Sequence, residues 1–311
     1  MAQDQKTVKV GGQAVIEGVM MRSPQYVAVA VRKPDDRIVL KKEAFVSWTK
    51  KVKVLGWPLI RGGVVLIESL VLGIRALNFS SEIAMAEENH KDRKDKAKSD
   101  SQNKWLLAGT LVLSMAMGFL LFFYVPLLLT EWTGVQGGIL FNLIDGVIRM
   151  GIFLLYLGLI SLWKDIRRIF AYHGAEHKSI FAFESGQPLT LKGVSPFTTH
   201  HPRCGTSFLL VVMLVSILVF IMLGRPDQIT DRLIRFLFIP VIGGISYEVI
   251  QLSTKKWGRW IASTLTAPGL WLQRITTKEP DDKQLEVALV ALKASLDMET
   301  DPDVQIWTKA A

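Results

Sequence analysis

The chain of 311 residues has one cysteine, Cys204, so it can form no internal disulfide and nothing argues for an oxidising compartment. The stretch Met1 to Lys6 lacks the apolar run of a secretory signal, and no cleaved leader is expected. Neither G-x-x-x-x-G-K-[ST] nor G-x-G-x-x-G occurs, which removes the common phosphate loops. Positive charge is in excess, at +9, but it does not form a basic stripe interleaved with stacking aromatics. A nucleic-acid partner is therefore not expected. The Lys and Arg residues gather beside hydrophobic runs, as they do in the inward-facing loops of a membrane protein.

Half of the residues are hydrophobic, too many for an ordinary soluble enzyme. Four runs are long enough to cross about 30 Å of hydrocarbon: Trp105 to Thr130, Ile139 to Trp163, Thr206 to Gly224 and Leu233 to Leu252. The second carries Asp145 and Arg149, four residues apart and placed to pair within the protein interior. Lys91, Arg93, Lys94, Lys96, Lys98 and Lys104 precede the first run, whereas Glu131 to Gly138 has no Lys or Arg. Basic residues return between Lys164 and Arg203 and after the fourth run. By the positive-inside rule both termini are expected on the cytoplasmic side of the inner membrane.

The rest divides around these spans. Residues 1–54 read as a β-rich cytoplasmic domain, with a strand and turn over 11–22 and a hairpin made by Tyr26–Arg32 and Arg37–Leu40; Glu17 and Arg22 are its polar residues of interest. Residues 55–79 read as an interfacial or re-entrant helix on which Arg61, Glu68 and Arg75 recur every seven positions, close to one face. Residues 80–104 form a charged linker in which His90 has no assigned role. Residues 105–252 are the four-span domain, with a His-rich cytoplasmic loop at 164–205. Residues 253–311 add a Trp- and Arg-rich interfacial segment and an amphipathic helix introduced by Pro280-Asp281-Asp282, expected to pack on the β-domain. The fold class is an α+β membrane protein: a four-helix transmembrane region, a small N-terminal β-rich domain and interfacial helices.

The chemistry-bearing stretch is His173-Gly174-Ala175-Glu176-His177. It spells H-x-x-E-H, the inverted zinc-hydrolase motif. On a helix its three polar side chains share one face, so two imidazoles can hold one divalent ion, most simply zinc, while Glu176 serves as general base. Four of the five histidines lie between 173 and 201, the second pair being His200 and His201 just before Cys204. A third ligand would come from His200, His201, Cys204 or Glu248. Glu248 and His201 rank ahead of Cys204, because a carboxylate in an apolar span needs a partner and a cysteine there reads equally as a small buried residue. Arg203 is a candidate for holding an anionic group.

Several separate motifs also resemble the YqhQ-like family of bacterial membrane proteins: Gly11 to Arg22, Tyr172 to Lys178, Arg203 to Phe208, Ser246-Tyr247-Glu248 and Ala267 to Gln273. The resemblance runs from about Lys9 to about Leu296. That family is of unknown function and is described as metal-dependent enzymes, which implies the same reading. Zinc peptidases sharing the pentapeptide are soluble α/β proteins, so their fold does not transfer with it. The expected function is thus metal-assisted hydrolysis at the inner membrane boundary, in contact with lipid and on a lipid-linked molecule or a membrane peptide. The other classes are a non-enzymatic assembly factor and an ion or proton pathway through Asp145, Arg149 and Glu248.

Overall fold

The computed structural model describes residues 8–84, 100–202, 204–253, 259–301 and 303–307; of the side chains at 100–108, 111, 253 and 259–266 nothing is said. His90 and Arg203 lie outside the described residues, as does most of the charged linker.

Strands β1 (Gly11–Val15), β2 (Gly18–Arg22), β3 (Tyr26–Arg32) and β4 (Ile38–Ala44) form an antiparallel meander. A fifth strand, β5 (Gln305–Ile306), joins β4 in parallel from near the far end of the chain. Residues with alternating side chains fill both faces of this sheet. Val19, Met21, Ala28 and Ala30 look one way, and Met20, Val27, Val29 and Val31 the other. A sheet apolar on both faces needs a cover on each.

Helix α1 (Ile60–Ala84) is one cover. Its C-terminal half puts Ala76, Phe79 and Ile83 against the sheet, where each large side chain contributes about 1.5–3 kcal/mol. For that reason the helix runs on to Ala84, past the point at which charge begins in the sequence. Its N-terminal half packs instead on a membrane helix: a Cβ on Gly62 would lie 2.8 Å from Tyr247 Cβ and 2.9 Å from Gly244 Cα. Two charges of α1 are correspondingly engaged within the protein. Arg61 grips the Glu248 carboxylate through Nε and Nη2 (2.7 and 2.5 Å), and the buried Glu68 accepts from Ser47 (2.8 Å), Arg22 (3.4 Å) and the Trp48 N–H.

Among the described residues, four helical stretches are long and apolar enough to cross a membrane: Val112–Trp132, Gly138–Ile160, Gly205–Leu223 and Ile229–Leu252. The first comprises the end of α2 (Asp100–Phe119), a wide turn at Leu120–Tyr124, and α3 (Val125–Trp132). Pro126, which has no N–H to give the preceding turn, accounts for that wide turn. Next come α4 (Gly138–Ile160), α5 (Lys164–Glu184), α6 (Gly205–Leu223), α7 (Ile229–Leu237) and α8 (Ile239–Ser253). Arg149 pairs with Asp145 on α4 at 2.6 Å, as their spacing suggests. The buried Arg235 of α7 donates to Asn142 Oδ1 (2.8 Å) and to the Gly224 carbonyl at the end of α6 (2.7 Å), where the helix dipole favours a cation.

Two helices complete the molecule. α9 (Arg259–Thr276) packs against α6, with Gly269 so close that a Cβ would lie 2.3 Å from Ser207 Oγ. α10 (Asp282–Ser295) starts with a capping box between Asp281 and Gln284. With α5 it covers the second face of the sheet, burying Leu285, Val287, Ala288 and Leu292.

Candidate metal centre

Helix α5 carries the pentapeptide, and three features fix where it sits. Glu17, in the β1–β2 turn with φ 52°, holds Arg168 through both carboxylate oxygens and accepts from Tyr172 Oη at 3.2 Å. The sheet is thereby tied to α5 one turn before His173. Glu176 reaches back to the edge strand, where its carboxyl accepts the Gly12 N–H; a Cβ at Gly12 would lie 2.8 Å from Glu176 Cγ. Gly174 is crossed by the α9–α10 connection, whose Lys278 N–H bonds to the Phe170 carbonyl at 2.9 Å.

A Cβ at Gly174 would sit 2.1 Å from the Lys278 carbonyl oxygen, and backbone cannot yield as a flexible side chain can. Gly174→Ala should therefore cost about 1–3 kcal/mol through overpacking, read as a lower unfolding temperature of the full-length protein. An unchanged transition would contradict this close crossing.

The donor atoms of His173, His177 and Cys204 lie within 4.8 Å of one another. His173 Nδ1–H donates to the Thr276 carbonyl at 2.8 Å, and His177 Nδ1–H donates to the Thr199 carbonyl at 2.5 Å. A carbonyl can only accept, so the neutral form of either ring carries its lone pair on Nε2. His173 Nε2 is 3.2 Å from Cys204 Sγ, and His177 Nε2 is buried with no hydrogen-bond partner. The rings themselves are 4.4 Å apart. Burial pushes the His177 pKa down, which keeps the ring neutral. Cys204 is the N-cap of α6, with its sulfur accepting the Thr206 N–H at 3.4 Å. A helix N-terminus suits a ligand that carries negative charge.

The remaining candidates are placed as follows. His201 Nε2 is 3.4 Å from Glu184, its ring stacks edge-on to Phe181, and it lies 5.7 Å from the His177 ring. Burial lowers its pKa too. His200 Nδ1 meets Thr198 Oγ1 at 3.1 Å, and its Nε2 is buried without a partner, outside the three-residue cluster. Glu248 is on Arg61. Geometry groups Cys204 with the two histidines of the motif, while Glu248, ranked with His201 ahead of it, is engaged in an ion pair between α1 and α8. Glu176 is nearly inaccessible, and burial raises its pKa against the opposing pulls of His173, His201 and the Gly12 N–H.

Sequence reasoning did not single out Gln273. Fully buried at 0% exposure, it accepts the His201 N–H (2.7 Å) and donates to the His201 carbonyl (2.9 Å) and Ser207 Oγ (3.2 Å). It clamps the loop leading to Cys204, and three residues later Thr276 orients His173. The available signal was an uncharged amide inside the apolar Gly269-Leu-Trp-Leu sequence, which the Trp residues disguised as headgroup-facing. Lys178 adds a second clamp, bonding the Ser195 carbonyl (2.9 Å) and Glu279.

A sheet covered on both faces by helices, together with four helical stretches apolar enough to cross a membrane, defines a membrane protein of α+β build, and two imidazoles and a thiol converge within it. The chain belongs to the family described as "Protein of unknown function (DUF1385)", whose pattern matches residues 57–298. It is 36% identical over 299 residues to the "Uncharacterized protein YqhQ" of Bacillus subtilis (strain 168), covering 93% of this chain and 92% of that protein. No solved structure matches.

Proposed function

We propose that the protein is a membrane metalloenzyme, a hydrolase working at the cytoplasmic boundary of the inner membrane. One observation carries the reading: both imidazoles spend Nδ1–H on backbone carbonyls, leaving Nε2 lone pairs that converge with the Cys204 sulfur. Fixing the tautomer of a ligand histidine through its other nitrogen is the usual support of a metal site, and a buried Nε2 without a partner otherwise has a desolvation cost. His173, His177 and Cys204 would hold the ion, most simply zinc, which accepts this donor set and leaves a position for substrate. When bound, such an ion supplies a Lewis acid for a carbonyl or phosphoryl oxygen.

The protein's own groups do the rest. Glu176 is a carboxyl with a raised proton affinity beside His173, suited to taking a proton from a nucleophile and returning it to a leaving group. Gln273 and Lys178 hold the loop that closes over the cluster. Cytoplasmic placement rests on charge: Lys164, Arg167, Arg168 and Lys192 lie on the side of the motif, and the Glu131–Gly138 connection has no Lys or Arg. Asp145 pairs with Arg149 and Glu248 with Arg61, so both intramembrane acids have partners within the protein. Elemental analysis of purified wild-type and His177→Ala protein is the direct test. Metal-free wild type would favour the non-enzymatic factor.

A further inference from the structure

We propose that the groove between the edge strand β1 and helix α1 binds the phosphate headgroup of an anionic lipid from the adjoining leaflet. The cavity measures about 580 Å³ and runs along Lys9 to Gln13 on one side and along Val65, Ser69 and Leu72 of α1 on the other. Among the described residues its charged lining consists of Lys9, Arg22 and Lys50, with no Asp or Glu. Arg22 is shared with Glu68, while among the described residues no carboxylate pairs with Lys9 or Lys50. Ser23, Ser47, Thr49 and Tyr247 also line it; Ser47 spends its proton on Glu68 and Ser23 on the Tyr26 carbonyl, whereas the Tyr247 hydroxyl, which accepts from Gln251, keeps its proton to donate. Cations, hydroxyls and an apolar floor are what a phosphodiester attached to hydrocarbon requires.

The surroundings select a lipid as the occupant. The segment leading into α1 exposes Trp48, Val52, Val54, Trp57 and Ile60, and α1 itself exposes Ile67, Leu70 and Ile74. From Phe45 to Ile67 there are four basic residues and no acidic one. Exposed indole rings, aliphatic side chains and lysines together suit the headgroup layer of an anionic membrane. The groove is continuous with the spans, because the same end of α1 packs on α8 through Gly62 and Gly244. Gly12 lines the groove and also holds Glu176 through its N–H. A headgroup there lies one strand away from the carboxyl; if the hydrolase reading holds, a lipid-linked substrate is presented to the centre from this side.

The test is native mass spectrometry of the full-length protein in detergent, titrated with phosphatidylglycerol or with phosphatidylcholine of the same acyl chains. Phosphatidylglycerol should bind more tightly, and Lys9→Gln/Lys50→Gln should remove about 10- to 30-fold of that affinity while leaving phosphatidylcholine unaffected. Both lysines are exposed, so the fold does not depend on them. Equal binding of the two lipids, or undiminished phosphatidylglycerol binding by the double variant, would overturn the proposal. Displacement of the lipid by millimolar inorganic phosphate would overturn it too, assigning the groove to a free anion. Repeating the titration on His177→Ala separates this site from the metal centre. Selectivity that persists without metal supports the groove whatever becomes of the hydrolase reading, and selectivity lost with the metal would refute it.

Discussion

Purified His177→Ala protein should bind zinc at least about 100-fold more weakly than wild type, because losing a ligand costs more than the 10–100-fold typical of losing a residue behind one. In free energy that is about 2.7 kcal/mol or more. Cys204→Ser is the cleaner partner variant. A serine still caps α6 by accepting the Thr206 N–H, so the helix start survives while the soft sulfur donor is lost. Removal of either ligand should abolish the stabilisation that zinc lends to the folded state. A chelator should lower the unfolding temperature of wild type and leave that of either variant unmoved. Stoichiometric metal in Cys204→Ser would exclude the sulfur as a ligand and with it the three-residue centre.

Glu176→Gln should keep the metal and lose about 10²–10⁴-fold in turnover, the range associated with a positioned acid or base. Glutamine has the same shape and can still accept the Gly12 N–H, so a loss of folding is not expected to confuse the result. Because the substrate is defined only by class, the readout is a comparison of lipid and small-peptide extracts from membranes carrying wild type or Glu176→Gln. A species that accumulates with the variant and disappears on adding purified wild type is the expected outcome. Identical extracts, with metal present in both proteins, would remove the catalytic role.

The spans and the hairpin strands were legible because each follows from local periodicity; the burial of the sheet on both faces was not. Long apolar runs, β-branched stretches around Pro34-Asp35-Asp36 and the i,i+4 pair Asp145–Arg149 all declare themselves within a few turns of chain. The partners of Glu248 did not. Membrane depth put it level with the histidines, but depth is a single coordinate, and Arg61, 187 positions away in the sequence, takes the carboxylate. The neighbours of Cys204 were hidden for a related reason. A small residue at a helix start looks inert until the carbonyls of Thr199 and Thr276 are seen to turn both imidazoles toward it. The close approaches at Gly12 and Gly174 likewise belong to the tertiary structure, since nothing in either glycine's neighbours reveals which atom will press against it.

The cluster and its supports come from the edge strand, helix α5, the cap of a membrane span and the end of α9, stretches that run from Gly12 to Thr276. No cut through such a chain leaves all of them on one piece. Trimming the protein to a water-soluble catalytic head, as is done with many bilayer-anchored hydrolases, would therefore discard either the sulfur or the carbonyl that turns His173. This design can be inherited, expressed and assayed only whole.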